Sequence, residues 1–551
     1  MADLNPSGTR PLLRVALAGA FLYAVIYSAQ TGREATLRVR ILEAATGRPA
    51  AARILIEGDG GVRPRVTGAV ALSETAIPVP EGAVAVMWGR NDRAEGYAVL
   101  PDGSFYADGG FQVRLPAGRY NVRVSKGYEY LTQTHSLTLK PGETSQPVWR
   151  LERWIDMPAR GWYSADDHIH LQRSPRDDPA IVRWMAAEDI HVGNLLEMGD
   201  FWATYYTQYA FGARGRYREG NHILSPGQEE PRTPEIGHTI SLGASELVRY
   251  RDDYYSYDRV FDRVHELGGI SGFAHQGMSF HGWRGMTLNI LRGKVDFLEL
   301  AQFCVPEGPL AVEHYYHFLD LGFRLTALAG SDFPWCGRGA RYGLEERGSQ
   351  IGDARFYTYV GSDFTFENWL EAVKRGHTFA TTGPVLLLEV NGKLPGETLD
   401  VAPGARLRVR AEALGHPQQI PLTSVEIIGH GRPLARREGV RAERLVADVE
   451  LTAERGIWIA ARCEAGKGQV AHTTPVYVTL GGGGFHNPET VAQRLELSER
   501  YLREIEQVIA VPSQRLDEVA WRHKAALERQ IREARRILAQ LRVRSSPPGT
   551  R

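Results

Sequence analysis

The stretch Gly161-Trp-Tyr-Ser-Ala-Asp-Asp-His-Ile-His170 contains two histidines separated by a single residue. Side chains at alternate positions of an extended strand point to the same face, so His168 and His170 would project together. Neutral imidazole is a common metal ligand, and the preceding carboxylates would orient the two rings. This spacing favours a metal site at the end of a strand, while two polar residues on a solvent-facing strand remain the alternative.

The composition is that of an ordinary globular protein with several domains. A chain of 551 residues is too long for one core, which indicates about two to four domains. Lys and Arg together number 65, as do Asp and Glu, so no basic excess indicates nucleic acid as a partner. The three cysteines, Cys304, Cys336 and Cys463, form neither a thiolate zinc motif nor a disulfide scaffold. A single disulfide between two of them remains the alternative.

The N-terminal segment has the pattern of an export leader. Arg10 and Arg14 precede an apolar run at residues 15–27, which is short for a membrane span and suits the core of a signal peptide. An uncleaved N-terminal anchor and a buried helix of the first domain are the alternatives. We therefore expect the body of the protein to be exported, with membrane contact only through such an anchor.

Changes in hydrophobic periodicity divide the chain into segments. Period-two alternation marks β modules, and helix-like stretches between apolar runs mark a largely parallel sheet or barrel. The predicted segments are a signal peptide or anchor at 1–35, an accessory β-sandwich at 36–153, a barrel at 154–384, a second β-sandwich at 385–480, a helical hairpin at 485–542 and a disordered tail at 543–551.

Several ordered motifs of the central segment resemble those of a known family. They are Gly161-Trp-Tyr-Ser-Ala-Asp-Asp-His-Ile-His170, Gly227-Gln-Glu-Glu-Pro-Arg232, Gly237-His-Thr-Ile-Ser-Leu242, Gly272-Phe-Ala-His-Gln-Gly277, Leu321-Gly-Phe-Arg-Leu325, Ala329-Gly-Ser-Asp332 and Thr378-Phe-Ala-Thr-Thr-Gly-Pro384. Together they resemble the CehA/McbA-type metallohydrolases, a branch of the PHP (polymerase and histidinol phosphatase) superfamily. The resemblance covers about residues 155–395, and the flanking β modules are also typical of the family.

The resemblance implies a multidomain protein with a central distorted (β/α) PHP-type barrel, flanked by two β-sandwich modules and followed by a helical hairpin. It also implies a metal centre at the strand ends, for which three imidazoles and two carboxylates suit zinc, manganese or iron. The implied ligands are His168, His170, Glu229 with Glu230 as its rival, His275 and Asp332. The family's second motif lacks its histidine here, since Glu197-Met-Gly-Asp200 stands in its place, and proline follows Asp332-Phe in the last motif. One or two ions are therefore expected rather than three.

Further polar residues of the barrel segment are candidates for supporting roles. His238 follows the glutamate motif and is either an acid, a base or a structural histidine, and Asp200 is a possible substitute ligand or catalytic group. Asp167, His281 and Arg338 are candidates for contacts to the ligands or to the substrate.

The expected activity is hydrolysis of a small-molecule ester, amide or carbamate bond by a metal-activated water. A metal-dependent phosphoesterase is one alternative, because phosphoesterases are common in the superfamily. A non-catalytic, exported, metal-stabilised binding protein is another, and an open coordination position with a cleft would distinguish the enzyme from it.

Overall fold

The structure is a computed structural model of the chain. It describes residues 34–58, 66–70, 103–199, 204–275, 281–300, 310–333, 350–466, 468–510 and 522–545. Asp200, Arg338, nearly all of the predicted leader and residues 546–551 of the predicted tail lie outside these ranges. No helix in the described ranges is both long and apolar enough to cross a membrane.

The N-terminal part forms one connected, eight-stranded sheet. Its strands are β1 (Glu34–Glu43), β2 (Ala51–Gly58), β3 (Val66–Ala69), β4 (Phe105–Pro116), β5 (Gly118–Ser125), β6 (Gln133–Leu139), β7 (Thr144–Ser145) and β8 (Val148–Leu151). The order is β6-β5-β2-β4-β1-β7, with β3 on β4 and β8 on β1. Every second residue of β5 is buried, so Tyr120, Val122 and Val124 enter the core as the alternation predicts.

The central and C-terminal parts share a closed sheet. Its strands are β9 (Trp162–Ile169), β10 (Val192–Gly199), β11 (Thr204–Tyr205), β12 (Tyr217–Glu219), β13 (His222–Thr233), β14 (Gly237–Leu242), β15 (Ile270–Phe273), β16 (Phe297–Glu299), β17 (Thr326–Leu328), β18 (Arg355–Tyr359), β19 (Thr378–Thr381), β21 (Thr398–Val401), β23 (Leu422–Gly429), β24 (Arg432–Ala442), β26 (Ile457–Ala465), β27 (Gln469–Thr473) and β28 (Val476–Leu480). Three further strands, β20 (Val385–Val390), β22 (Arg406–Leu414) and β25 (Arg444–Thr452), form a separate sheet.

The helices lie between these strands and after them. They are α1 (Asp178–Ala187), α2 (Tyr257–Glu266), α3 (Gly282–Ile290), α4 (Glu313–Asp320), α5 (Phe366–Lys374), α6 (Val491–Ala510) and α7 (Lys524–Ser545). The last two contact each other, with Arg535 bound to Glu499 and Glu506 across them. The apolar stripe of α7, including Ile531 and Leu538, packs into the same core as α3 and α4.

The predicted (β/α) PHP-type barrel with two separate flanking sandwiches is wrong. The closed sheet is mixed, because β13, β14 and β15 pair antiparallel and β18 runs antiparallel to β9. Residues 234–236 are too short for a crossover helix, so β13 and β14 form a hairpin. The region expected to form the second sandwich instead joins the closed sheet through the antiparallel pair of β19 and β27. The result is a predominantly β fold in which strands of both regions share one sheet.

Candidate metal centre

Six side chains from five strands of the closed sheet converge on one buried position. They are His168 in β9, His170 directly after it, Glu229 in β13, His238 in β14, His275 after β15 and Asp332 after β17. We call them the histidine–carboxylate cluster. None is more than 6% exposed. Burying so many ionisable groups is costly unless they are paired or hold an ion.

Four donor atoms of the cluster face one another at the separation of ligands around one ion. The Nε2 atoms of His168 and His170 lie 3.1 Å apart, and Asp332 Oδ1 is 3.2 Å from the first and 3.3 Å from the second. Glu229 Oε2 is 3.4 Å from His170 Nε2 and 3.9 Å from His168 Nε2. Bonds near 2.1 Å, in octahedral or tetrahedral geometry, separate neighbouring ligand atoms by about 3.0 to 3.4 Å. Four of these five separations, 3.1 to 3.4 Å, fall in that range, while the fifth is wider at 3.9 Å, so the donor set fits a transition metal.

The second oxygen of Glu229 belongs to a neighbouring group of donors. Its Oε1 lies 2.8 Å from His238 Nδ1 and 3.6 Å from His275 Nε2. The candidate donor atoms of these three residues all lie within 4.8 Å of one another. Glu229 thus presents one oxygen to each group and is placed to bridge two ions.

The electrostatics of the cluster favour a bound cation. Burial alone would lower the pKa of His168, but the carboxylates of Asp332 and Glu299 outweigh burial and raise it well above its usual value. Burial would raise the pKa of Glu229, yet Arg232 and the imidazoles hold it well below its usual range. The carboxylates of Glu229 and Asp332, whose pKa values are lowered, therefore stay ionised. They favour positive charge at the imidazoles, and a bound metal ion supplies that charge without protonating the rings.

The backbone is strained at two of the cluster residues. His275 and Asp332 have φ angles of 29° and 50°, in the left-handed region that side chains other than glycine seldom adopt. Tyr206, whose ring lies 5.2 Å from that of His170, also has a positive φ of 55°. Such strain costs on the order of 1–3 kcal/mol per residue and concentrates at functional sites. Its location here supports a functional role for the cluster.

The strain at Asp332 predicts a difference between two substitutions. In metal-free buffer, Asp332→Gly is expected to be more stable than Asp332→Ala by about 1 kcal/mol, because left-handed backbone penalises alanine more than glycine loses in chain entropy. Chemical denaturation measures this difference. At Arg408, an exposed residue of β22, the same pair of substitutions should show the reverse order. Equal stability of the two Asp332 variants would contradict the strain.

Glu299 is a site residue that sequence reasoning missed. Its Oε1 lies 3.1 Å from His168 Nδ1, and its Oε2 accepts a hydrogen bond of 2.7 Å from the backbone N–H of His275. Glu299 ends β16 and is 1% exposed. The only signal in the sequence is a lone glutamate near the end of the apolar run at residues 295–300, and such a run indicates a strand rather than a site. Its carboxylate fixes the ring of His168 so that Nε2 faces the cluster.

Replacing Glu299 is expected to weaken metal binding without removing a cluster donor. Glu299→Gln should lower metal affinity by about 10- to 100-fold, because the imidazole of His168 loses the carboxylate that orients it. Competition with a chromogenic chelator measures this affinity. Asp296→Asn is the control, since Asp296 precedes the same strand but bonds His265 and the Ser271 N–H instead. An unchanged affinity in Glu299→Gln would contradict the orienting role.

Asp166 fixes the backbone around the cluster. Its Oδ1 accepts hydrogen bonds of 3.0 Å from the N–H groups of both His168 and Ser331, and its Oδ2 accepts one of 2.8 Å from the Gly352 N–H. These bonds tie β9 to the segment that carries Asp332. Burial raises the pKa of Asp166 to about 6, and these hydrogen bonds limit the rise.

The other predicted site residues have different surroundings. Glu230, the rival of Glu229, points to Arg249, whose Nε is 2.7 Å from its Oε1. Asp167 is buried, and neither carboxylate oxygen has a hydrogen-bond partner among the described residues. His281 is exposed and its Nδ1 lies 2.8 Å from the carbonyl oxygen of Pro234, so these contacts do not involve the cluster.

No protein-family model matches the chain, and no curated protein matches it. Among solved structures, the chain is similar to a variant of BcpA, the major pilin subunit of Bacillus cereus. That similarity has a TM-score of 0.22 and 7% identity and covers 82% of this chain and 70% of the pilin chain. A TM-score this low carries no argument about fold or function.

Proposed function

We propose that the protein is a metal-dependent hydrolase. The observation that carries the proposal is the histidine–carboxylate cluster, in which buried donors lie at ligand–ligand separations and Glu229 faces two groups of histidines. The family motifs that first indicated these residues support the same chemistry. We retain the relation to the CehA/McbA-type metallohydrolases as a proposal for the site, although the predicted barrel is wrong.

The residues of the cluster have distinct parts in this proposal. His168, His170, Glu229 and Asp332 would hold one divalent ion, and His275 with His238 and Glu229 a second. A divalent ion at such a site activates water and polarises the bond to be cleaved. Burial, together with the charge of Arg232, lowers the pKa of His238 to about 3. His238 is therefore neutral near pH 7 and available as a ligand, whereas a base this weak is a poor proton acceptor.

The proposed substrate is a small molecule with an ester, amide or carbamate bond. A phosphoester remains the second candidate because a guanidinium, that of Arg232, lies 3.5 Å from Glu229 Oε2 at the edge of the cluster. We also propose that the protein is exported, because residues 1–35 have the pattern of a leader.

Measuring metal content and hydrolytic turnover on the same purified protein would test the proposal. The full-length chain would be purified beside His168→Ala/His170→Ala and a matched His135→Ala/His265→Ala control, since neither control histidine belongs to the cluster. Bound metal would be quantified by elemental analysis. Turnover of 4-nitrophenyl acetate, 1-naphthyl N-methylcarbamate and bis(4-nitrophenyl) phosphate would be measured with added zinc or manganese.

Metal-dependent turnover that the cluster variant loses and the control keeps is the expected result. The substrate that is cleaved would choose between acyl and phosphoryl chemistry. Bound metal without turnover of any substrate would favour a metal-stabilised binding protein. Absence of metal after reconstitution would overturn the assignment of the cluster as a metal centre.

A further inference from the structure

Arg232 lies beside the cluster because of an irregularity in β13. Residues three apart on a regular strand point to opposite faces. Here the pairing of β13 with β14 shifts register, since Glu229 pairs with Ile240 whereas Arg232 pairs with His238. The shift places Arg232 Nε 3.5 Å from Glu229 Oε2. The same strand therefore contributes both an anion and a cation to the site.

The guanidinium of Arg232 has an N–H donor that makes no hydrogen bond among the described residues. Its Nε is buried and has no hydrogen-bond partner among the described residues, while the side chain as a whole is 18% exposed. A buried guanidinium usually uses several of its donors, because unpaired donors are costly. The separation of 3.5 Å from Glu229 is also long for a charge-assisted hydrogen bond.

Other buried or partly buried arginines of the described chain lie much closer to their carboxylate partners. Arg173 contacts Asp178 through two nitrogens at 2.8 and 2.7 Å, and Arg153 contacts Asp189 through two nitrogens at 3.0 and 2.9 Å. Arg249, on the other side of β13, lies 2.7 Å from Glu230. These are the contacts of structural arginines in this fold, and Arg232 lacks them.

A second polar group of the site is influenced by the charge of Arg232. The hydroxyl of Tyr206 makes no hydrogen bond among the described residues, although the side chain is only 4% exposed. Burial, together with the nearby charge of Asp332, raises the pKa of this hydroxyl, and Arg232 lies close enough to oppose the rise. The hydroxyl of Tyr206 is therefore a neutral donor within the site.

We propose that Arg232 binds a negatively charged oxyacid group, a carboxylate or a phosphoryl group, of the substrate beside the bond that is cleaved. The planar guanidinium matches the paired oxygens of such a group, and partial burial strengthens the attraction. The inference rests on the proposed function in that it assigns the anion to the substrate of the cluster. A guanidinium that only balances the charge of Glu229 would instead support metal binding and show no preference among substrates.

Two pairs of compounds would separate these possibilities. Mono(4-nitrophenyl) succinate is anionic and its methyl ester is neutral, while bis(4-nitrophenyl) phosphate is anionic and its methyl triester is neutral. The kcat and KM values would be measured for wild type, Arg232→Met, Arg232→Lys and Arg218→Met. Arg218 is an exposed arginine of β12 and serves as the control. Binding of inorganic phosphate and of succinate would be measured by calorimetry, and metal content by elemental analysis.

Arg232→Met is expected to raise KM for the anionic member of a pair, and to weaken binding of the corresponding anion, by about 10- to 100-fold. KM for the neutral member, metal content and the Arg218→Met control should be unchanged, and Arg232→Lys should recover part of the loss. The pair that responds identifies a carboxylate or a phosphoryl group. Equal losses for charged and neutral compounds, loss of metal, or anion binding unaffected by Arg232→Met would overturn the inference. Absence of metal-dependent turnover alongside Arg232-dependent anion binding would contradict the proposed hydrolase but not the anion site.

Discussion

Glu229→Gln is expected to remove both metal binding and hydrolysis. Glu229 contacts both groups of histidines, since Oε2 faces His170 and Oε1 faces His238 and His275. A neutral amide is a poor metal ligand and presents only one oxygen, so it cannot serve both groups. Because an ion supplies several kcal/mol of charge stabilisation to the reaction, kcat/KM should fall by on the order of 1000-fold.

The loss of metal can be followed without any substrate. A metal that binds only the folded state adds about 2.7 kcal/mol of stability when its concentration is 100 times the dissociation constant. Chemical denaturation with and without zinc or manganese should show this stabilisation in wild type and lose it in Glu229→Gln. Elemental analysis of the same samples reports the bound ion directly.

The adjacent glutamate provides a matched control. Glu230 is as buried as Glu229, but its carboxylate faces Arg249. Glu230→Gln should therefore retain bound metal and metal-dependent stabilisation, even if it lowers the stability of the fold. If Glu229→Gln keeps its metal, or if Glu230→Gln loses it to the same extent, the bridging role of Glu229 is wrong.

This pair of glutamates also shows what the sequence could not decide. Neighbouring residues of a strand face opposite sides, so the identity of the inward carboxylate depends on the register of β13. That register shifts between Glu229 and Arg232, where no local pattern indicates it. The spacing of His168 and His170 needed no such information, because period two alone places both imidazoles on one face.

The fold depended on pairings that local periodicity does not contain. Local patterns do match individual elements, since the apolar runs at residues 385–390 and 425–428 lie in β20 and β23, and the helical periodicity of residues 257–267 coincides with α2. The joining of the C-terminal strands to the closed sheet, however, requires Phe379 to pair with Thr473, a partner far away in sequence. Alternating strand-like and helix-like segments therefore predicted the elements but gave the wrong architecture. Glu299 was missed for a related reason, since only the folded sheet brings it to His168 and His275.

Gly330→Ala is expected to damage the centre although it adds only one methyl group. Gly330 follows β17, and a Cβ atom there would lie 2.5 Å from Asp167 Oδ1, 2.5 Å from the His168 Cβ and 2.7 Å from the His168 N. Real Cβ atoms do not approach other atoms so closely, and all three of these atoms belong to residues of β9. The backbone at His168 is in turn fixed by Asp166. Relief of the clash must therefore move either β9 or the segment that carries Asp332.

Movement of β9 or of the segment that carries Asp332 would separate two donors, His168 Nε2 and Asp332 Oδ1, that now lie 3.2 Å apart. Overpacking of this kind costs roughly 1–3 kcal/mol, and a displacement of about 1 Å at a catalytic site lowers activity by about 100-fold. Denaturation, chelator competition and turnover should each reveal the change in Gly330→Ala. Gly118→Ala should reveal none, because its Cβ would meet only the Tyr120 side chain, at an ordinary 3.8 Å. Reduced stability with unaltered metal affinity would mean that the strand end absorbs the methyl group, and that the cluster tolerates displacement of β9.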